Sequence, residues 1–453
     1  MLPFPHRPAI RRAGTRYPWP GLALLLLLLA SSTAQAVPAF ARQTGYVCAV
    51  CHSSAYGGGD NGPALTPAGM RFKLGGYTEA NISGALPLAA QVTVAHTNPL
   101  RGDSQTRLSE ADLYLAGRLT DHVGGFVKIE ADNVGGGKYN TRLRNLDLRF
   151  VAKTLKFMDK GLTLGVSVNN SPGFNDPLAV LPAASNLGPP GVTGTLLNLS
   201  SPAAPANRVI GATVYALFDS HWYGEVGTYN SMQPSVQDRL GYSTGGDPGK
   251  LSDTGYFRFA YMKEFKTQFV SAGVVGLSTR RQRPRQGPSD DVTDLGYDLS
   301  YQYLGDRQNI LQLSYVNIFE KRDYGSTPPS PVVPGLLALP EGSARDHIAT
   351  AIYTFRQSYG IAVSHMVSTG SRDPARYVPY GNPDSTSNLV SVFWVPFGKE
   401  SFSSLANFRI YATWFRFDRF NGARTNVFGA PPGAPTTDAR DLGAFTISAS
   451  AAF

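Results

Sequence analysis

The two cysteines of this 453-residue chain stand in the run Cys48-Ala49-Val50-Cys51-His52. That spacing has a specific chemistry. Cys-x-x-Cys-His attaches a c-type haem through two thioethers, with the histidine as an axial ligand of the iron. Two intervening residues let both sulfurs reach one edge of the macrocycle, and the adjacent imidazole then comes under the metal. A Cys48–Cys51 disulfide is the alternative, and an oxidising compartment would permit it. It would close a tiny loop and give His52 no part. The expected cofactor is one covalent haem c on Cys48 and Cys51, with His52 on the iron.

Two side chains are candidates for the sixth iron position. Met70 lies 18 residues past His52 and is the tentative choice. A thioether opposite histidine raises the haem potential relative to a second imidazole, although packing is the commoner use of a buried methionine. His96 is the other. It shares the parity of Val92 and Val94, which points it away from polar Gln91 and Thr93 unless a bulge reverses the faces.

The N-terminus indicates where such a group would be used. Arg7, Arg11, Arg12 and Arg16 precede an apolar run from Gly21 to Ala30, and Ala34-Gln35-Ala36 follows. A charged start, an apolar middle and a small-residue end read as a secretory signal over residues 1–36. The ten-residue run is too short to cross about 30 Å of hydrocarbon. Without the signal, 37 basic residues face 32 acidic ones, a balance that argues for no nucleic-acid partner.

The remainder is expected to be all-β. Only 16% of residues are charged, against about 25% in ordinary soluble domains. From Leu86 onward, polar and apolar residues alternate with period two. Gln312 and Ser314 interleave with Leu311, Leu313 and Tyr315, and Thr446, Ser448 and Ser450 interleave with Phe445, Ile447 and Ala449. Sixteen such segments are predicted near 85–97, 108–119, 122–132, 142–152, 160–168, 207–219, 221–230, 254–264, 267–279, 292–304, 308–320, 345–355, 358–368, 386–396, 406–417 and 441–453. Tight connections at 120–121, 265–266, 305–307 and 356–357 alternate with long ones at 169–206, 231–253, 321–344, 369–385 and 418–440. Short turns on one side and long loops on the other describe a 16-stranded antiparallel transmembrane β-barrel of the outer membrane. Phe453 ends it with an aromatic residue. Glu110, Asp112, Arg118, Lys128, Glu130, Asp147 and Arg149 share the polar parity and must face inward, since a charge on the lipid face costs about 2–4 kcal/mol at the midplane. Loop acids such as Asp176, Asp238, Asp247, Asp290, Asp291, Asp373, Asp384 and Asp438 read as solvated charge.

Residues 37–84 then form a monohaem segment ahead of the barrel at 85–453. Its 48 residues bury too little apolar surface to fold alone. Covalent haem and a surrounding barrel wall would stabilise it as a plug.

The stretches FARQTGYVCAVCH and LTPAGMRFKLGGY, with the layout around them, resemble the fused monohaem cytochrome–porins, outer-membrane proteins best known as iron(II) oxidases. The specific likeness covers residues 39–77; the barrel matches as architecture. The resemblance implies electron transfer from an extracellular donor, chiefly Fe(II), to a periplasmic carrier such as a soluble cytochrome c. As an enzyme the chain would be an iron(II):cytochrome c oxidoreductase, its neighbours outer-membrane lipid and the barrel-assembly machinery. It also implies that Phe40, Arg42, Gly45, Leu65, Phe72, Lys73 and Gly76 line or support the haem. Met70 stands where the family pattern has arginine. Two other readings remain: a solute porin with a structural or sensing haem plug, and a conduit run outward to reduce external metals.

Overall fold

The computed structural model describes residues 39–57, 63–79, 87–135, 138–152, 155–182, 194–198, 205, 207–396 and 407–453. The expected signal segment lies outside them. Three short helices, α1 (Ala39–Thr44), α2 (Cys48–Cys51) and α3 (Pro67–Leu74), and the strand pair β1 (His52–Gly57) and β2 (Pro63–Leu65) precede the barrel. The barrel strands are β3 (Leu88–Pro99), β4 (Gln105–Arg118), β5 (Val123–Gly135), β6 (Lys138–Val151), β7 (Leu155–Phe157), β8 (Lys160–Asn169), β9 (Val209–Phe218), β10 (Trp222–Ser231), β11 (Lys250–Glu264), β12 (Gln268–Gln282), β13 (Ser289–Tyr303), β14 (Asn309–Asp323), β15 (Glu341–Phe355), β16 (Tyr359–Gly370), β17 (Ser385–Trp394), β18 (Asn407–Arg419) and β19 (Ala444–Ala452).

Every pairing is antiparallel and the ring closes between β19 and β3. β7 continues β6 beyond a break and both pair with β8, so the barrel has sixteen strands, as the alternation predicts. Closure is reciprocal at the last residue. Ala90 N–H donates to Phe453 O at 2.8 Å and Phe453 N–H donates to Ala90 O at 2.9 Å.

The predicted tight turns are present at one end. At Met158-Asp159, Asp219-Ser220 and Arg356-Gln357 both central residues have left-handed φ, from 49° to 60°. Two such residues make the turn whose twist matches right-twisted strands. The long connections lie at the other end, but the one after β8 does not stay outside. Its short helix α4 (Pro172–Asn175) and residues 176–181 and 194–198 are almost wholly buried, bonded to inward-facing side chains of the wall.

The faces follow the expected parity. Leu113, Leu115, Val226, Phe257 and Leu295 point outward and are exposed, whereas Asp112, Glu130, Asp147, Arg149, Arg258 and Asp298 are buried inside. A bulge on β6 adds one more cation to that interior: Lys128 pairs with Asn145 and Ile129 with Leu143, leaving Arg144 as the extra residue. Lys128, Arg142 and Arg144 then converge on Glu130 at 2.8, 3.0 and 3.7 Å.

Candidate functional site

The Cys48–Cys51 turn is held by its backbone. His52 N–H donates to Cys48 O, closing the turn. Ala49 O accepts from Arg307 Nη1 at 2.9 Å, Val50 O from Thr66 Oγ1 at 2.5 Å, and Cys51 O from Thr66 N–H at 2.9 Å. All four carbonyls from Cys48 to Cys51 are thus engaged. Thr66 does this while also capping α3, its hydroxyl accepting from Gly69 N–H at 3.3 Å, with Pro67 in the first turn. The threonine in LTPAG therefore joins the two stretches that the resemblance singles out. His52 leaves α2 in extended conformation, φ −123° and ψ 137°, and pairs with Leu65 across β1 and β2.

Cys48 and Cys51 are separate thiols one helical turn apart, each half-buried, and His52 is half-buried beside them. Burial pushes the Cys51 thiol up to about 11, with Cys48 and Glu79 adding to the rise and Arg307 opposing it. Two half-buried cysteines three residues apart, an adjacent imidazole and a backbone fixed independently of them fit a covalently attached c-type haem.

The segment around this turn bonds to the barrel close to its short turns. Gln43 Nε2 donates to Ala116 O at 2.8 Å, Arg71 pairs with Glu264 at 2.7 Å, and Tyr215 Oη donates to Leu74 O at 2.8 Å. Tyr77 Oη donates to Asp147 at 2.7 Å, and Asp147 in turn holds Arg149 at 2.9 Å, both fully buried. Burial, and then Asp147, hold the Tyr77 phenol well above its usual value. Lys73, also buried, donates to Phe174 O and to Asp176 O at 3.4 Å, tying α3 to the inward loop.

Of the residues expected to line or support the haem, most contribute to this frame. Phe40 packs on Phe72 and Tyr77, with ring centroids 5.1 Å away in each case, and on Phe126 of β5. Arg42 donates to Leu88 O, and Leu65 O accepts from Gln302 at 2.8 Å. Gly45 and Gly76 have left-handed φ of 73° and 67°. Met70, 3% exposed, lies in an apolar cluster with Leu74, Val151, Leu178, Tyr215 and Met262.

His96 is not near this turn. The bulge beside it belongs to β4, where Ser109 is skipped between the pairs Thr93–Glu110 and Val94–Leu108. The alternation of β3 is therefore intact and His96 faces outward. It lies three residues from Pro99, at the end away from the short turns, with Nδ1 2.6 Å from Thr106 Oγ1.

The loop acids are largely engaged rather than solvated. Asp176 is buried against Arg258 at 3.2 Å. Arg285 holds Asp247 down at about 2 and Gln237 adds to this. Asp373 accepts from the N–H groups of Leu339, Ala375 and Arg376, and Asp438 forms a capping box with Asp441. Among the described residues, no three His, Cys, Asp or Glu side chains are grouped to hold a metal ion. Sequence reasoning missed Thr66, Gln302, Arg307 and Gln312, because turn and strand positions give no sign of which carbonyl they will meet.

No family profile matches the chain, and no curated protein does. Among solved structures it is similar to Vibrio cholerae OmpT expressed in the outer membrane, at 12% identity over 81% of this chain and 97% of that one, with a TM-score of 0.44. It is also similar to the anion-selective porin from Comamonas acidovorans, at 13% over 81% and 98%, with a TM-score of 0.42. Salmonella typhi OmpF in complex with daunomycin aligns at 11% over 81% and 97%, with a TM-score of 0.44. The barrel itself is established by its own closed ring of antiparallel pairs.

Proposed function

We propose that the chain is an outer-membrane electron-transfer protein of the fused cytochrome–porin type. One c-type haem is held by Cys48 and Cys51, with His52 on the iron, in the short-turn mouth of the barrel. In outer-membrane barrels that mouth is the periplasmic one. Electrons enter from an extracellular donor, Fe(II), and leave to a periplasmic carrier such as a soluble cytochrome c. The observation that carries this reading is the Cys48–His52 turn itself, fastened at Ala49 O by Arg307 from the turn between β13 and β14.

A c-type haem supplies a one-electron couple inside an insulating wall. The chain's own residues do the rest. Cys48 and Cys51 would hold the group covalently and His52 would bind its metal, while Thr66 and Arg307 hold the carbonyls of the turn. Each Fe²⁺ gives up one electron and remains outside as Fe³⁺, so no insoluble product has to cross. Met70, packed with Leu74 and Val151, is retained as the candidate for a further iron ligand.

A second reading, the solute porin, is favoured by one observation. The inner wall from β15 round to β3 carries hydroxyl pairs, Thr350–Ser364 at 3.1 Å, Ser391–Thr413 at 2.8 Å and Thr446–Thr97 at 3.2 Å, in place of the ion pairs opposite. A haem stain of the purified protein, followed by a spectral titration with Fe²⁺ near neutral pH, separates the two. Covalent haem that is reduced by Fe²⁺ supports the conduit. Haem that only artificial reductants reach leaves the porin.

A further inference from the structure

The hairpin of β13 and β14 supplies one side chain to the Cys48–His52 turn and two to the residues beside it. Gln302 Nε2 donates to Leu65 O at 2.8 Å, Arg307 Nη1 to Ala49 O at 2.9 Å, and Ser53 Oγ donates to Gln312 Oε1 at 2.7 Å. Leu65 is the strand partner of His52, so one hairpin grips the motif on both sides. Two of the three are neutral amides, and a carbonyl needs no more than that. The third is an arginine, and it sits at φ +68°, a left-handed position that glycine or asparagine takes with less strain.

Among the described residues its guanidinium is in no ion pair, its bond being to a carbonyl. Glu264, the acid acting on Arg307, is engaged by Arg71 at 2.7 Å. Arg307 Nη1 bonds the carbonyl two residues before Cys51, which sets its charge against the Cys48–His52 turn. An iron centre that takes up one electron loses one unit of positive charge, so a cation nearby favours the reduced form and an anion the oxidised one. At an effective dielectric of about 20, a unit charge several ångströms away is worth a large factor in that equilibrium.

Resting on the haem reading above, we propose that Arg307 is a positioning and potential-setting residue. It fastens the Cys48–His52 turn through Ala49 and, as a fixed positive charge beside Cys51, raises the potential of the group bound there.

The test is a spectroelectrochemical titration of the full-length holoprotein in detergent, with a haem stain on each variant. Arg307→Gln is expected to lower the equilibrium constant for reduction about tenfold, a downward shift of about 59 mV for one electron. Arg307→Lys should stay near the wild type, and Gln312→Ala, which loosens the grip without changing charge, should leave it unmoved. Stained Arg307→Gln protein with an unchanged potential overturns the proposal, as does a Gln312→Ala shift equal to that of Arg307→Gln. If Arg307→Gln carries no haem, Arg307→Asn, which suits the left-handed position, decides in its place, and an unmoved potential overturns the inference. An unstained wild-type protein instead removes the haem reading itself.

Discussion

Gly69 lies directly against the carbonyl of Cys51. A Cβ at this position would overlap that oxygen and crowd the Cys51 backbone behind it. The obstacle is main chain, so no side-chain rotation relieves it. Close contact between α2 and α3 depends on this absent methyl group. Gly69→Ala should therefore part the two helices, weaken both Thr66 bonds and reduce haem incorporation at least tenfold. The barrel, whose ring excludes these residues, should keep its heat-dependent gel mobility. Stained protein at wild-type level in Gly69→Ala would falsify this account of the turn.

Cys48→Ala and Cys51→Ala should each weaken or abolish the covalent haem stain, and the double variant should have none. The measurement is peroxidase staining on a denaturing gel beside an immunoblot. A stained double variant would mean that attachment does not use this motif.

Met70→Leu separates ligation from packing. Leucine fills the cluster with Leu74, Val151 and Tyr215, so the fold should be retained at a cost below about 1.5 kcal/mol. As sixth ligand, Met70 predicts loss of the weak red absorption band and a lower potential with the stain unchanged. A surviving band assigns the sulfur to packing alone.

Lys73 gives the segment a pH dependence. Burial pushes its amine down to about 8, against 10.5 when exposed, although Asp147 counters the fall. Between these values the unfolded chain holds a proton that the folded one lacks. Stability therefore rises with pH across that window and is level below about 8. Thermal release of the segment, followed by the haem spectrum, should occur at higher temperature near the upper end. Lys73→Met should remove the difference, and a difference that persists would place its origin elsewhere.

Proteolysis of intact cells should distinguish two connections of similar reach. Val332, Val333 and Leu337 are well exposed between β14 and β15, so cleavage is expected there. Residues 171–178 are almost all buried inside the wall and should resist. Cuts within 171–178 on intact cells would show that this loop swings outward.

The sequence made the wall legible because alternation over strands of up to 15 residues leaves no other way to place charges. It did not make the inward loop legible. Asp176 reads as any loop acid, and its partner Arg258 is 82 residues away, recognisable only once the ring has closed. The Cys48-x-x-Cys51-His52 spacing was legible from three side chains, but the support of that turn was not. Arg307 occupies a turn and Gln302 a strand end, positions whose local chemistry is complete without the contacts they make here. Likewise the bulge at Arg144 follows from pairing with β5, which no local pattern on β6 announces.

Phe453 and Ala90 exchange hydrogen bonds across the last seam of the ring. A cylinder sewn from one thread has a single such seam, and here the residues that precede one lip are those of the Cys48–His52 segment. The two lips cannot meet without fixing whether that segment is enclosed or shut out. Whatever is joined to Cys48 and Cys51 must then be in place before the seam is drawn tight, or enter by the open mouth afterwards. Order of manufacture thus becomes a property of the topology.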